Sequence, residues 1–267
     1  MRVSYSTVVL KNHGPIFTIV LNVPERLNAL SDQVLLDLGA ALDECASSHE
    51  IRVLVLTGAG RGFCAGADLN TREPAREPDQ HESHRRRIAD QFNPIIKKLL
   101  ALPVPTIAAV NGVAAGGGFG LALACDLVVA AESADFILVF TPQLGLIPDM
   151  GASWHAPRNL GRARAMANAF FGNRIGALEA EAQGLIWKAV PDESFLQVVA
   201  ETASKLANGP TRAYVANRHA LDCAHTQSLL DQLDLEAEIQ PALLMTEDFA
   251  EGQQAFIEKR KPVFKGR

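Results

Sequence analysis

Twice in this 267-residue chain a short aliphatic run ends directly in a glycine-bearing loop, and that arrangement restricts the possible folds more than any other feature. The first run is Val53-Leu54-Val55-Leu56, followed by TGAGRGFCAGADL over residues 57–69. The second covers residues 106–110 and leads into NGVAAGGGFG over residues 111–120. Neither alternates polar with apolar residues, so each predicts a strand buried on both faces. Helical spacing surrounds them. Val34, Leu35, Leu38, Ala41, Leu42 and Cys45 recur three and four apart behind a capping Ser31, residues 88–102 read as helix, a further helix runs through Ala124, and residues 127–130 form another strand. Strands that alternate with helices need crossovers, so the sheet is expected to be largely parallel.

At the amino end, residues 7–10 and 16–21 flank His13-Gly14-Pro15, which predicts a hairpin. From Arg162 onward the pattern is helical except for an extended piece at 185–190, with a break at Gly209-Pro210. The expected division is an α/β core over residues 1–200 and a helical region over 201–267. Residues 72–87 carry two prolines, mixed charge and almost no apolar side chains, and are expected to be a mobile surface loop leading into a helix.

A hydrophobic fraction of 48 % supports a large core, and a net charge of −5 gives no basic footprint for nucleic acid or an anionic membrane. Cys45, Cys64, Cys125 and Cys223 lie far apart with no CxxC, so no metal site and no disulfide framework is expected. No apolar run reaches the ~20 residues that span a bilayer, and residues 1–15 lack a signal-peptide core; a soluble cytoplasmic protein is the expectation.

The chemistry should sit where the glycine loops end. Backbone N–H groups at a strand-to-helix turn favour an anion, and two such loops can converge on one oxygen. Taken singly, each glycine cluster also suits an ordinary turn or a close helix–strand contact. A dinucleotide fingerprint fits poorly, since Gly58-Ala59-Gly60-Arg61-Gly62 has the wrong spacing and no acidic residue ends a following strand; Gly-Lys-Ser/Thr is absent.

Four ordered motifs resemble the crotonase (enoyl-CoA hydratase/isomerase) family: Pro24-Glu25-Arg26-Leu27-Asn28-Ala29-Leu30; residues 61–69, RGFCAGADL; Ala109-Val110-Asn111-Gly112 with Gly116-Gly117-Gly118; and residues 255–264, AFIEKRKPVF. The resemblance implies a spiral of ββα repeats with a helical carboxy-terminal trimerisation region, assembled as a trimer or dimer of trimers. It implies an acyl-CoA substrate, with coenzyme A entering as part of that substrate and no separate cofactor. The oxyanion hole would be the N–H groups of Ala67 and Gly117. Contacts to CoA or the acyl group would come from Arg26, Leu27, Ala29, Ala65, Asp68, Leu69, Gly116, Gln143, Phe256 and Lys259. Asp68 is also read as a helix cap that organises Ala67.

Hydratases of this family carry one glutamate just after the glycine triplet and another in a Pro-Glu pair about twenty residues on. This chain has Gly120 and Gln143 there, neither of which exchanges a proton near neutral pH. A different acid stands in Gly145-Leu146-Ile147-Pro148-Asp149-Met150-Gly151, which is similar to the family's double-bond isomerases. Residues 151–187 are similar to the epoxide isomerases of phenylacetyl-CoA catabolism. Asp149 is therefore expected to remove and return a proton, against the alternatives of a turn residue or helix cap. A hydratase with displaced catalytic groups and a binding homologue without chemistry remain the other readings. Cys64 is expected to be a buried thiol, Trp154 and His155 to be structural or to line an acyl pocket, and His81 and His84 to sit in the surface loop.

Overall fold

A computed structural model describes residues 5–69 and 78–267. Strands β1 (Val8–His13) and β2 (Ile16–Leu21) form the expected antiparallel hairpin, with Gly14 at φ 62° in the turn. Helix α1 (Asp32–Ser47) follows; the Ser31 hydroxyl accepts from the Val34 N–H, and the six apolar positions read from the sequence are buried. Three units then send one strand into each of two sheets. They are β3 (Val53–Gly58) with β4 (Gly62–Cys64), β5 (Thr106–Val110) with β6 (Val113–Ala115), and β7 (Leu127–Ala131) with β8 (Asp135–Ile137). The larger sheet has the order β1-β2-β3-β5-β7-β10, closing with β10 (Lys188–Val190), and is parallel beyond the hairpin. The smaller is β4-β6-β8-β9, with β9 (Arg174–Gly176) antiparallel to β8.

Alternate residues of the parallel strands serve two cores. Leu54, Leu56, Ala108, Val110, Val128 and Ala130 belong to the main core with α1, α3 (Asn93–Leu100) and α4 (Gly117–Leu123). Val53, Val55, Ile107, Ala109, Val129 and Ala131 face a second core completed by Phe195, Val199, Ala203 and Ala207 of α8 (Phe195–Ala207). Burial on both faces is why these strands read as continuous apolar runs. It also means that residue 200, the expected domain boundary, falls inside a helix that belongs to the sheet.

One local expectation is corrected. Residues 72–77 lie outside the described residues, but Pro78–Arg87 forms a helix, α2, rather than a loop. Glu82 reaches Arg85 and Arg86 three and four positions on, at 2.7 and 2.9 Å, the spacing that supports a helix without an apolar face. The strands of the smaller sheet went unread because three residues are too few to show a period.

The stretch from residue 152 supplies α5 (Ala152–Leu160), α6 (Arg162–Phe171) and α7 (Ala177–Ala182) before β10. After the Gly209-Pro210 break come α9 (Thr211–Ala224), α10 (Leu229–Leu244) and α11 (Glu247–Glu258). Arg218 joins α9 to the core. Its guanidinium donates to both carboxylate oxygens of Asp126, at 2.6 and 2.7 Å, and to the carbonyls of Leu100, Leu102 and Val104. Asp126 in turn accepts from the Thr106 N–H at the start of β5. Replacing Arg218 with methionine strands that carboxylate, and a loss of about 3 kcal/mol in denaturant unfolding is expected; a loss below about 1 kcal/mol would show that water replaces the guanidinium.

Candidate active site at the carboxyl end of the strands

The loops that leave β3 and β5 are neighbours because those strands pair directly. Two asparagines shape the first of them. Asn28, fully buried, accepts from the Val23 N–H at 2.9 Å and donates to the carbonyls of Ala59 at 3.0 Å and Gly62 at 2.8 Å. Asn111 accepts from the Gly58 N–H and donates to the Gly60 carbonyl at 2.9 Å. Asn28 holds φ 56°, a left-handed conformation that asparagine tolerates better than most residues.

A short seam then joins residues 27–30 to residues 65–68. Ala65 N–H donates to the Leu27 carbonyl, Leu30 N–H to Gly66, and Asp68 N–H to Leu30. These bonds use the amides on either side of Ala67, so its own N–H faces away from Leu30. Arg26 closes the seam from outside: its half-exposed guanidinium lies 2.5 Å from the buried Asp68 carboxylate. The segment expected to grip CoA is thus fastened to the segment expected to form the oxyanion hole. Leu27 and Ala29 are partly buried along it, and Leu69 is exposed at its end.

The second loop meets the first backbone to backbone. A Cβ on Gly66, which has φ 90°, would lie 2.8 Å from the Ala115 carbonyl oxygen and 3.0 Å from the Gly117 nitrogen. Ala67 comes next in the chain, so covalent geometry keeps its nitrogen within about 7 Å of that of Gly117. Gly117 opens α4, where the first N–H groups have no helical acceptor. Among the described residues neither N–H meets a backbone acceptor. Gly116 sits at φ 53° as the N-cap, its N–H donating to Ile137. Gly118 is equally constrained, since a Cβ there would stand 2.1 Å from the Cys64 carbonyl oxygen.

Asp149 precedes a residue that packs on α4. It is partly buried and adjoins Met150, which has φ 48° and packs on the helix: Cβ atoms on Gly117 and Gly120 would lie 2.8 Å from its sulfur and 2.4 Å from its carbonyl oxygen. The N-cap of α5 is Gly151, which has no side chain to cap with. Gln143 lies exposed on a π-helical turn, Phe140–Leu144. Phe256 and Lys259 are exposed at the end of α11, a helix anchored at the opposite end of β3. There Arg52, just before that strand, donates to the Phe264 and Gly209 carbonyls and to Thr211.

Burial pushes the Cys64 thiol up to about 12, which suits a packed thiol rather than a nucleophile. Trp154 stacks on Arg158, 3.8 Å from the guanidinium, and together with His155 lines a cavity of about 480 Å³ against α9. Burial, and then the Arg158 charge, lower His155 to about 4, so it is neutral at pH 7. His81 and His84 lie on α2. Among the described residues no group of three His, Cys, Asp or Glu side chains is placed to hold a metal, and no helix is long and apolar enough to cross a membrane. Asn28 was legible only as one letter of a motif; its left-handed φ and its three side-chain bonds are tertiary facts.

The spiral of ββα units is that of an acyl-CoA enzyme, and residues 11–267 match the enoyl-CoA hydratase/isomerase family model; the chain belongs to that family. It is 44 % identical over 257 residues to the 1,2-epoxyphenylacetyl-CoA isomerase of Escherichia coli K12, covering 94 % of this chain and 95 % of that one. It is also 44 % identical to a probable enoyl-CoA hydratase of Rhodobacter capsulatus, covering 99 % of this chain and all of the relative. Among solved structures, an enoyl-CoA hydratase from Bacillus anthracis superposes with a TM-score of 0.90 at 35 % identity, covering 98 % of this chain and 100 % of that one.

Asn28→Ala would remove the acceptor of the Val23 N–H, the donor to the Ala59 carbonyl and the nearer of two donors to the buried Gly62 carbonyl, at a left-handed position. A loss of about 3 kcal/mol in denaturant unfolding is expected, accompanied by loss of turnover; unchanged stability would mean that the seam holds the loop unaided.

Proposed function

We propose that the protein isomerises an acyl-CoA, shifting a double bond or rearranging an epoxide through a thioester enolate. Asp149 takes a proton from the acyl chain, the electron pair moves onto the thioester oxygen, and the N–H groups of Ala67 and Gly117 hold that oxygen. In a double-bond shift the same carboxyl then returns the proton at another carbon; in an epoxide the enolate electron pair breaks the ring C–O bond and the carboxyl's proton goes to the released oxygen, so neither course consumes water. Donors fixed in advance of the developing charge are worth about 3–4 kcal/mol each. CoA would lie along Arg26, Leu27, Ala29 and Ala65, and no further cofactor is required.

The observation that carries this reading is the fit of Met150 on Gly120. The first hydratase glutamate would need a Cβ where the Met150 carbonyl oxygen stands 2.4 Å away. This chain therefore lacks both the carboxyl group and the space for one. The name of the E. coli relative supports isomerisation. The name of the R. capsulatus relative favours hydration by displaced groups, and that is the second reading.

The oligomer is proposed to be a trimer or a dimer of trimers. Helix α10 has no buried residue, and Leu229, Leu230 and Leu233 are exposed along it, which suits a surface awaiting another copy. The anchoring of α11 at the far end of β3 supports Phe256 and Lys259 reaching a neighbouring subunit's CoA.

Wild type and Asp149→Asn are to be compared on a 3-enoyl-CoA and on ring-epoxidised phenylacetyl-CoA, with crotonyl-CoA hydration as comparator. Isomerisation should fall by about 10² or more in the variant, with wild-type hydration negligible; an unaffected variant would exclude Asp149 as the shuttle, and efficient hydration would establish the second reading. Gly120→Glu is expected to gain no hydratase activity and to unfold at lower temperature. A functional hydratase from that single change would contradict the steric account.

A further inference from the structure

Asp149, Met150, Gly151 and Ala152 form a turn closed by the Ala152 N–H donating to the Asp149 carbonyl at 2.9 Å. Both central residues have positive φ, 48° at Met150 and 80° at Gly151, the sign pattern of a type I′ turn. Glycine, asparagine and aspartate dominate those positions, so methionine there must be held from outside the turn. Helix α4 does the holding. Its Gly120 leaves room for the Met150 carbonyl, its Gly117 leaves room for the sulfur, and the methionine is only 2 % exposed. Leu30, from the seam that carries Ala67, touches the same space, 3.3 Å from where a Gly117 Cβ would stand.

We infer that Met150 is the positioning residue for proton transfer: it wedges into the spaces left by Gly117 and Gly120 and so fixes the turn on which Asp149 stands relative to the oxyanion N–H groups. This rests on the reading of Asp149 as the proton shuttle. The Met150 sulfur thereby lies over the residue that opens the helix of one oxyanion donor, and shares the space there with Leu30 of the segment that braces the other. Proton transfer demands a carboxylate held to within about 0.5 Å of its working place. Removing the wedge frees the turn, while the CoA-gripping segment, fastened by Asn28 and the 27–30 seam, stays as it is. The loss should therefore appear in kcat and not in KM.

The test compares Met150→Gly, Met150→Leu and Gly120→Ala with wild type and Asp149→Asn on a 3-enoyl-CoA, with the Kd for butyryl-CoA and the Tm recorded for each full-length protein. Met150→Gly suits the turn but lacks the wedge, and is expected to lose about 10-fold or more in kcat with KM and Kd within about twofold. Met150→Leu, which refills the space, should stay within about threefold of wild type. Gly120→Ala attacks the wedge from the helix side and should reproduce the kcat loss; it carries the test if Met150→Gly does not fold. Wild-type kcat in Met150→Gly, or a loss shared equally by kcat, KM and Kd in both Met150 variants, would overturn the assignment. An inactive Asp149→Asn beside a fully active Met150→Gly removes the wedge alone, whereas a fully active Asp149→Asn removes the shuttle and the wedge together.

Discussion

Backbone meets backbone in this site more closely than any side chain would allow, and the rest of the structure is arranged around that contact. Gly66 lies against Ala115 and Gly117, Gly118 against Cys64, and Gly120 against Met150, each at distances a Cβ would violate. The contact brings two amides to one place because β3 and β5 are adjacent and parallel, about 4.8 Å apart, so their loops leave the sheet side by side. A left-handed Met150, whose backbone costs about 1–3 kcal/mol, persists because the glycines opposite it leave a space of its shape.

Rigidity and reactivity are assigned to different chemical groups. Neutral amides brace the 58–62 turn, with Asn28 and Asn111 bonded to it from two sides, while Asp68, at the end of the seam, is paired with Arg26 from outside. Bracing the turn with amides adds no fixed charge there beyond the Arg26–Asp68 pair, which leaves the N–H dipoles and the amino end of α4 to act on an oxyanion.

The apolar runs, the Ser31 cap and the hairpin turn were legible in the sequence because each is a local signal of adequate length. The second sheet was not, since β4, β6, β8 and β9 have three residues each. The helix at Pro78–Arg87 was hidden by its polarity, its support being charge pairs between neighbouring turns rather than an apolar stripe. In the site, glycine spacing marked both loops and the Pro-Asp-Met-Gly string marked Asp149. The reasons those glycines are required, a carbonyl or a sulfur lying opposite, come from residues 30 to 54 positions away and leave no trace in local pattern.

The guanidinium of Arg52 has a consequence for how the chain acquires its fold. It precedes the first central strand, yet its partners are Gly209, Thr211 and Phe264, more than 150 residues downstream. On a ribosome, the strand would be made long before those partners exist, and Arg52 would stay hydrated until the last helices arrive. Late closure of so long a loop is slow and leaves α/β intermediates with uncovered sheet edges, the species most prone to aggregate. Protection of the Arg52 guanidinium from solvent would therefore report that the terminal segments have docked, which the formation of the sheet alone does not.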